Sequence, residues 1–164
     1  MTPRHNAVRE GLIAGFLGAT AVAVWFLIVD TAAGHPFYTP TVLGRALLGV
    51  LGPAGAEGDL TRVIAYTIFH YAAFGLTGIV LTVVVHHARA EPSILAGFLI
   101  LFVAFEIGFY GLTALLSQHE LLGTIAWYQI GIGNLLAAGA MGTYLWRRHP
   151  ELGSEFAHAL GGSE

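Results

Sequence analysis

Glu106 sits where the chain offers a carboxylate no water, in AFEIGFYG (residues 104–111), inside an apolar run from Ile94 to Leu116. At mid-bilayer a carboxylate costs roughly 2.5–3.5 kcal/mol even on the lenient insertion scale, so it must face other helices and find a partner there. Helical spacing puts Phe102, Val103, Tyr110, Thr113 and Ser117 on its face, a polar stripe running one way from the midplane. The run Val63–Val85 has a matching stripe in Arg62, Tyr66, His70, Ala73 and Thr77. Counted from the same end at 1.5 Å per residue, His70 and Tyr110 lie about 10 Å deep and Glu106 about 16 Å, close enough to meet. Gln129 and Asn134 fall about 12 and 20 Å deep on the last run, and Asp30 and His35 close the first.

An imidazole facing a carboxyl group is a proton relay, or a pair of ligands suited to zinc or iron. For a metal, Asp30, His35, His119 or Glu120 would complete the set around His70 and Glu106, although no His-Glu-x-x-His and no Glu-x-x-His within a run is present. Haem needs two histidines at matching depth, and only His70 lies well inside a run. A proton path across is incomplete, because beyond Glu106 the third run offers Phe102, Leu99 and Leu95, so a half-channel or binding pocket fits better. The structural alternative is that these groups pair with each other and fix helix register, each interhelical bond contributing about 0.6 kcal/mol. The expected ligand or proton site is therefore His70, Glu106, Tyr110, Tyr66, Gln129, Asn134 and Asp30, with His70 and Glu106 as metal ligands; no catalytic residue and no cofactor is assigned. His86, His87, His5 and His149 lie beside arginines at the opposite ends and are read as solvated helix ends.

The elements that hold these residues follow from composition. Of 164 residues, 55% are hydrophobic and 10% charged, far below the quarter or so of an average soluble domain. Gly11–Val29, Val63–Val85, Ile94–Leu116 and Leu121–Trp146 each approach or exceed the roughly 20 residues needed to cross the hydrocarbon of a bilayer. The predicted fold is all-α: an integral membrane four-helix bundle with spans at about 9–31, 63–86, 93–117 and 121–146 in one domain over residues 1–149. The first span is longer than a signal-peptide core and is expected to be retained. Arg4, Arg9, Arg89, Arg147 and Arg148 fall on one side and Arg45 and Arg62 on the other, which puts both termini in the cytoplasm. In the first outer loop, Thr39-Pro40 reads as an N-cap and first turn, and Val42, Leu43, Ala46, Leu47, Val50 and Leu51 recur on one face before Gly52-Pro53. This predicts a short interfacial helix over 40–51, lying in the interface or folding back onto the bundle. Residues 150–164 are expected to form a mobile cytoplasmic tail.

Several functions are excluded. Without cysteine there are no disulfides, thiolate ligands or thiol nucleophiles, and without lysine there is no Schiff base. No phosphate-binding glycine loop or nucleophile elbow is present, and the net charge of −3 gives nucleic acid no support. Small residues at Gly11, Ala14, Gly15 and Gly18, and at Ala137–Ala140 with Gly142, permit close helix packing, with each other or with a larger partner. WFLIVDTAAGHPFYTPTVLG and NLLAAGAMGTYLWRRHP resemble the small four-span membrane proteins of bacteria, and the Ala/Gly/Arg bias is that of a GC-rich bacterial genome. The resemblance carries no activity with it. The expected function is a non-catalytic protein of the bacterial inner membrane, a subunit or accessory component whose partners are the bilayer, other membrane subunits or a second copy. The alternative is a membrane metalloprotein or oxidoreductase holding a metal, haem or quinone near His70 and Glu106.

Overall fold

The computed structural model describes residues 7–51, 58–88 and 127–150; Glu106, Tyr110 and the whole third predicted span lie outside the described residues, as do His5 and the tail after Pro150. All regular structure among the described residues is helical: α1 (Ala7–Ala32), α2 (Tyr38–Leu51), α3 (Asp59–Ala88) and α4 (Trp127–Arg148). Of these, α1 and α3 are long and apolar enough to cross a membrane. Their 26 and 30 residues correspond to roughly 39 and 45 Å, against about 30 Å of hydrocarbon.

Neither long helix has a narrow apolar stripe, since both are apolar nearly all round. What brings them together is a lack of side chains. The buried residues of α1 include Gly11, Ala14, Gly15, Gly18 and Ala19. A Cβ placed on Gly78 of α3 would land on the Gly11 carbonyl oxygen and the Gly15 backbone, and one on Gly15 would strike the backbone of Phe74 and Gly75. The two backbones therefore touch, as small-residue seams allow in lipid. Large apolar side chains point the other way: Ile68 is 67% exposed, Leu76 65% and Leu135 73%. A water-soluble core has the reverse arrangement, with its large side chains inside.

The last helix contributes one face in strict fourth-residue spacing, with Gly133, Ala137, Met141, Leu145 and His149 all buried. This face packs on α1, where Met141 fills the space over Gly18. Trp25 Nε1 donates to the Gln129 carbonyl at 2.9 Å and ties the other end of the pair. The small residues of the first run thus serve two partners: Gly11 and Gly15 meet α3, and Gly18 meets α4.

At the end where α1 finishes, Gly34 (φ 80°) and bonds from its N–H to Thr31 O and from His35 N–H to Asp30 O stop the helix in a Schellman turn. The chain then enters α2 through Phe37, a non-glycine residue at φ 68°. Thr39, the N-cap expected from sequence, is the second residue of α2 instead. The cap comes from Asp30, whose two carboxylate oxygens accept from Thr39 N–H and Oγ1–H, both at 2.8 Å. A helix start carries unpaired N–H groups and a partial positive charge, so a carboxylate from the neighbouring helix satisfies both. From there α2 folds back along α3, with Gly44 against the Arg62 carbonyl.

Candidate metal centre

At the Asp30 end, the structure gathers part of the site expected from sequence. Asp30, Tyr66 and His70 line one cavity of about 230 Å³ together with Thr20, Phe26 and Tyr71. Asp30 also forms the wall of a second cavity of about 250 Å³, which reaches Gln129. Asn134 is half-buried on α4 and lines neither. The polar groups here hold helices together. His70 Nε2 lies 3.0 Å from the Ala19 carbonyl oxygen, which can only accept, so this nitrogen carries the proton and joins α3 to α1. Its ring stacks among Phe74, Tyr66 and Tyr71 at centroid distances of 4.8, 5.5 and 5.7 Å. Thr20 and Tyr71 share a hydroxyl–hydroxyl bond of 3.1 Å across the same seam.

The other end holds a cluster that the sequence reading left aside. Glu10 lies in the first turn of α1, His86 in the last turn of α3, and His149 one residue beyond α4. The helical ladder runs on into His149, whose N–H donates to Leu145 O at 2.9 Å, so its ring continues the buried stripe of α4 toward α1. There His149 Nε2 meets Glu10 Oε1 at 2.6 Å. Both groups are deeply buried, Glu10 6% exposed and His149 0%. The His86 ring stands edge-on to that of His149 at 5.1 Å. One donor atom from each of the three lies within 4.8 Å of the other two. The expectation of solvated histidines therefore holds for His87, which is exposed, and fails for His149 and for half-buried His86. They are drawn in because α1 supplies a carboxylate at their level.

Glu10 was missed because it stands beside Arg9 at the mouth of an apolar run and reads as part of a charged flank. Two signals pointed to it. It lies one residue before the Gly11-x-x-x-Gly15 seam, and the fourth-residue stripe of α4 ends on a histidine rather than on another small residue.

The ligand atoms are poised for more than a hydrogen-bonded pair. His86 Nδ1 is 2.8 Å from the Thr82 carbonyl, which can only accept; Nδ1 therefore carries the proton and Nε2 presents its lone pair. Among the described residues that nitrogen is buried with no hydrogen-bond partner, and so are Glu10 Oε2 and the Thr82 hydroxyl. Two imidazoles and one carboxylate are donors suited to zinc, iron or another first-row divalent ion, and unlike the all-oxygen sets that magnesium and calcium prefer. At metal–ligand lengths of about 2.0–2.2 Å, tetrahedral donors stand roughly 3.4 Å apart. Around an ion the Glu10–His149 contact, at 2.6 Å, would open, and spacings near the 4.8 Å limit would close. Comparison with protein-family models, with curated proteins and with solved structures finds no match to this chain.

Proposed function

We propose that the chain is a multi-pass protein of a bacterial inner membrane, with both termini in the cytoplasm, whose working part is a divalent transition-metal centre formed by Glu10, His86 and His149. The membrane setting is supported by two long apolar helices joined through glycine, with their bulky side chains outward. Arg9, Arg147 and Arg148 lie at the same end as the cluster, which the positive-inside rule makes the cytoplasmic end.

The observation that carries the metal is the set of unpartnered donors. A structural pair between Glu10 and His149 accounts for one oxygen and one nitrogen. It leaves Glu10 Oε2 and His86 Nε2 buried without partners among the described residues, and each such group costs about 1–3 kcal/mol. A divalent ion occupies both at once and balances the carboxylate charge. Three protein ligands leave a further coordination position open. In this reading the protein binds and presents a metal; no substrate turnover is assigned to it.

The test is metal content and affinity of tag-free protein in detergent or nanodiscs. One zinc or cobalt per chain is expected, with affinity lowered at least tenfold in Glu10→Gln, His86→Phe and His149→Phe. Equal metal uptake by all three variants overturns the proposal.

A second reading, an accessory subunit of a larger membrane assembly, is favoured by one further observation. Gly139 and Gly142, on the face of α4 turned from α1, have no atom of the described residues within 4 Å of an added Cβ. Native mass spectrometry from nanodiscs distinguishes the cases: association that disappears in Gly139→Leu/Gly142→Leu supports a subunit, and a strictly monomeric wild type removes that reading.

A further inference from the structure

Thr82 is the one fully buried threonine of α3, and its side chain behaves unlike those of four other helical threonines. Thr20, Thr41, Thr67 and Thr77 each donate their hydroxyl to the carbonyl four residues back, at 2.7–2.9 Å. That bond is the default for a threonine in a helix and needs no outside partner. Thr82 does not make it. Thr82 is at 0% exposure, and its hydroxyl has no hydrogen-bond partner among the described residues.

Its position gives the reason. Thr82 lies one turn before His86, and the two therefore share a face of α3. The α1–α3 seam fixes what stands opposite: Gly15 is against Phe74, Gly75 and Gly78, and Gly11 is against Gly78 and Ile79. Carried one turn further, this antiparallel register brings Thr82 to the first turn of α1, the turn that carries Glu10. The same residue supplies the carbonyl that holds the His86 tautomer. Thr82 thus touches the cluster through its backbone, while its hydroxyl is kept from the bond a helix would give it.

We infer that Thr82 is a positioning residue of the metal centre, its hydroxyl holding a water molecule on the coordination position that Glu10, His86 and His149 leave open. The inference rests on the metal reading above and adds to it that the centre keeps an exchangeable position, one that a small anion can enter by displacing the water.

The experiment uses the full chain loaded with Co(II), whose visible spectrum reports coordination number and ligand exchange. Wild type and Thr82→Ser should share one spectrum and bind cobalt within about threefold of each other. Thr82→Val, which keeps the shape and loses the hydroxyl, should change the spectrum and weaken cobalt binding by roughly 10- to 100-fold, the usual range for a residue supporting a metal ligand. Azide added to the wild-type cobalt protein should shift its bands, a readout that stands even where the valine variant does not fold. An unchanged spectrum and affinity in Thr82→Val, or a wild-type spectrum indifferent to azide, overturns the role of Thr82 and leaves the three-ligand centre standing. Failure of the wild type to bind cobalt at all overturns both.

Discussion

Replacing Gly78 by alanine adds one methyl group at the point where two backbones touch. The new Cβ would lie 2.6 Å from the Gly15 nitrogen and against the Gly11 carbonyl oxygen, whereas ordinary contact begins at 3.4 Å. Backbone cannot rotate aside as a side chain can, so α1 and α3 must part by at least about 0.8 Å along the seam. A gap of 0.5–1 Å forfeits about a quarter to a half of each dispersion contact it opens. Overpacking of this kind costs about 1–3 kcal/mol, equivalent to about a 5- to 150-fold fall in the folded-to-unfolded ratio. Two other glycines calibrate the result. At Gly75 the new Cβ meets only Leu12 Cδ2, at 3.3 Å, the flexible end of a side chain, and the loss should be under about 1 kcal/mol. At Gly142 no atom of the described residues lies within 4 Å, and better helix propensity should make alanine neutral or stabilising by up to about 1 kcal/mol. Reversible unfolding of the three variants in mixed micelles, followed by tryptophan fluorescence, gives the order directly. Equal stability of Gly78→Ala and wild type would falsify the backbone-contact seam, and a loss at Gly142 matching that at Gly78 would show that the effect is not steric.

The Asp30 clamp gives a second test. Asp30→Ala strips both bonds from Thr39 and should cost about 2 kcal/mol, read as faster amide exchange at Tyr38–Thr41 and quicker trypsin cleavage at Arg45; unchanged exchange there would remove the clamp. His70→Phe keeps the aromatic packing and loses the bond to Ala19, so the cost should be about 0.6 kcal/mol with metal content unaffected. A drop in bound metal in that variant would move the centre to the Asp30 end. Glu10→Ala should lower metal affinity more than tenfold, while Glu10→Asp, which keeps the carboxylate on a shorter stem, should retain part of it; isothermal titration with zinc decides the order.

The helices α1, α3 and α4 were legible because their signal is bulk hydropathy over about twenty or more residues, which survives any error about individual contacts. The same holds for α2, where apolar residues on one face between Thr39 and Gly52 were enough to place a helix. Its start was displaced because a cap can come from outside the local sequence, and Asp30 lies nine residues back on another helix. The grouping of Asp30, Tyr66 and His70 was readable from depth along the helices, since residues counted from a common end must lie at similar levels. Their bonding partners were not readable, because a backbone carbonyl such as that of Ala19 leaves no mark in a sequence. Glu10, His86 and His149 escaped for another reason. Charged and histidine residues at the ends of apolar runs normally face water, and only the close approach of α1 to α3 and α4 turns three such ends inward.

Glu10 and His149 are separated by 139 positions along the chain. An acid in the first turn of α1 therefore has no imidazole beside it until α4 has been made and has packed against that helix. The contact thus closes late, and it fastens the start of α1 to the residue just past α4 with no stretch of chain between them to hold it.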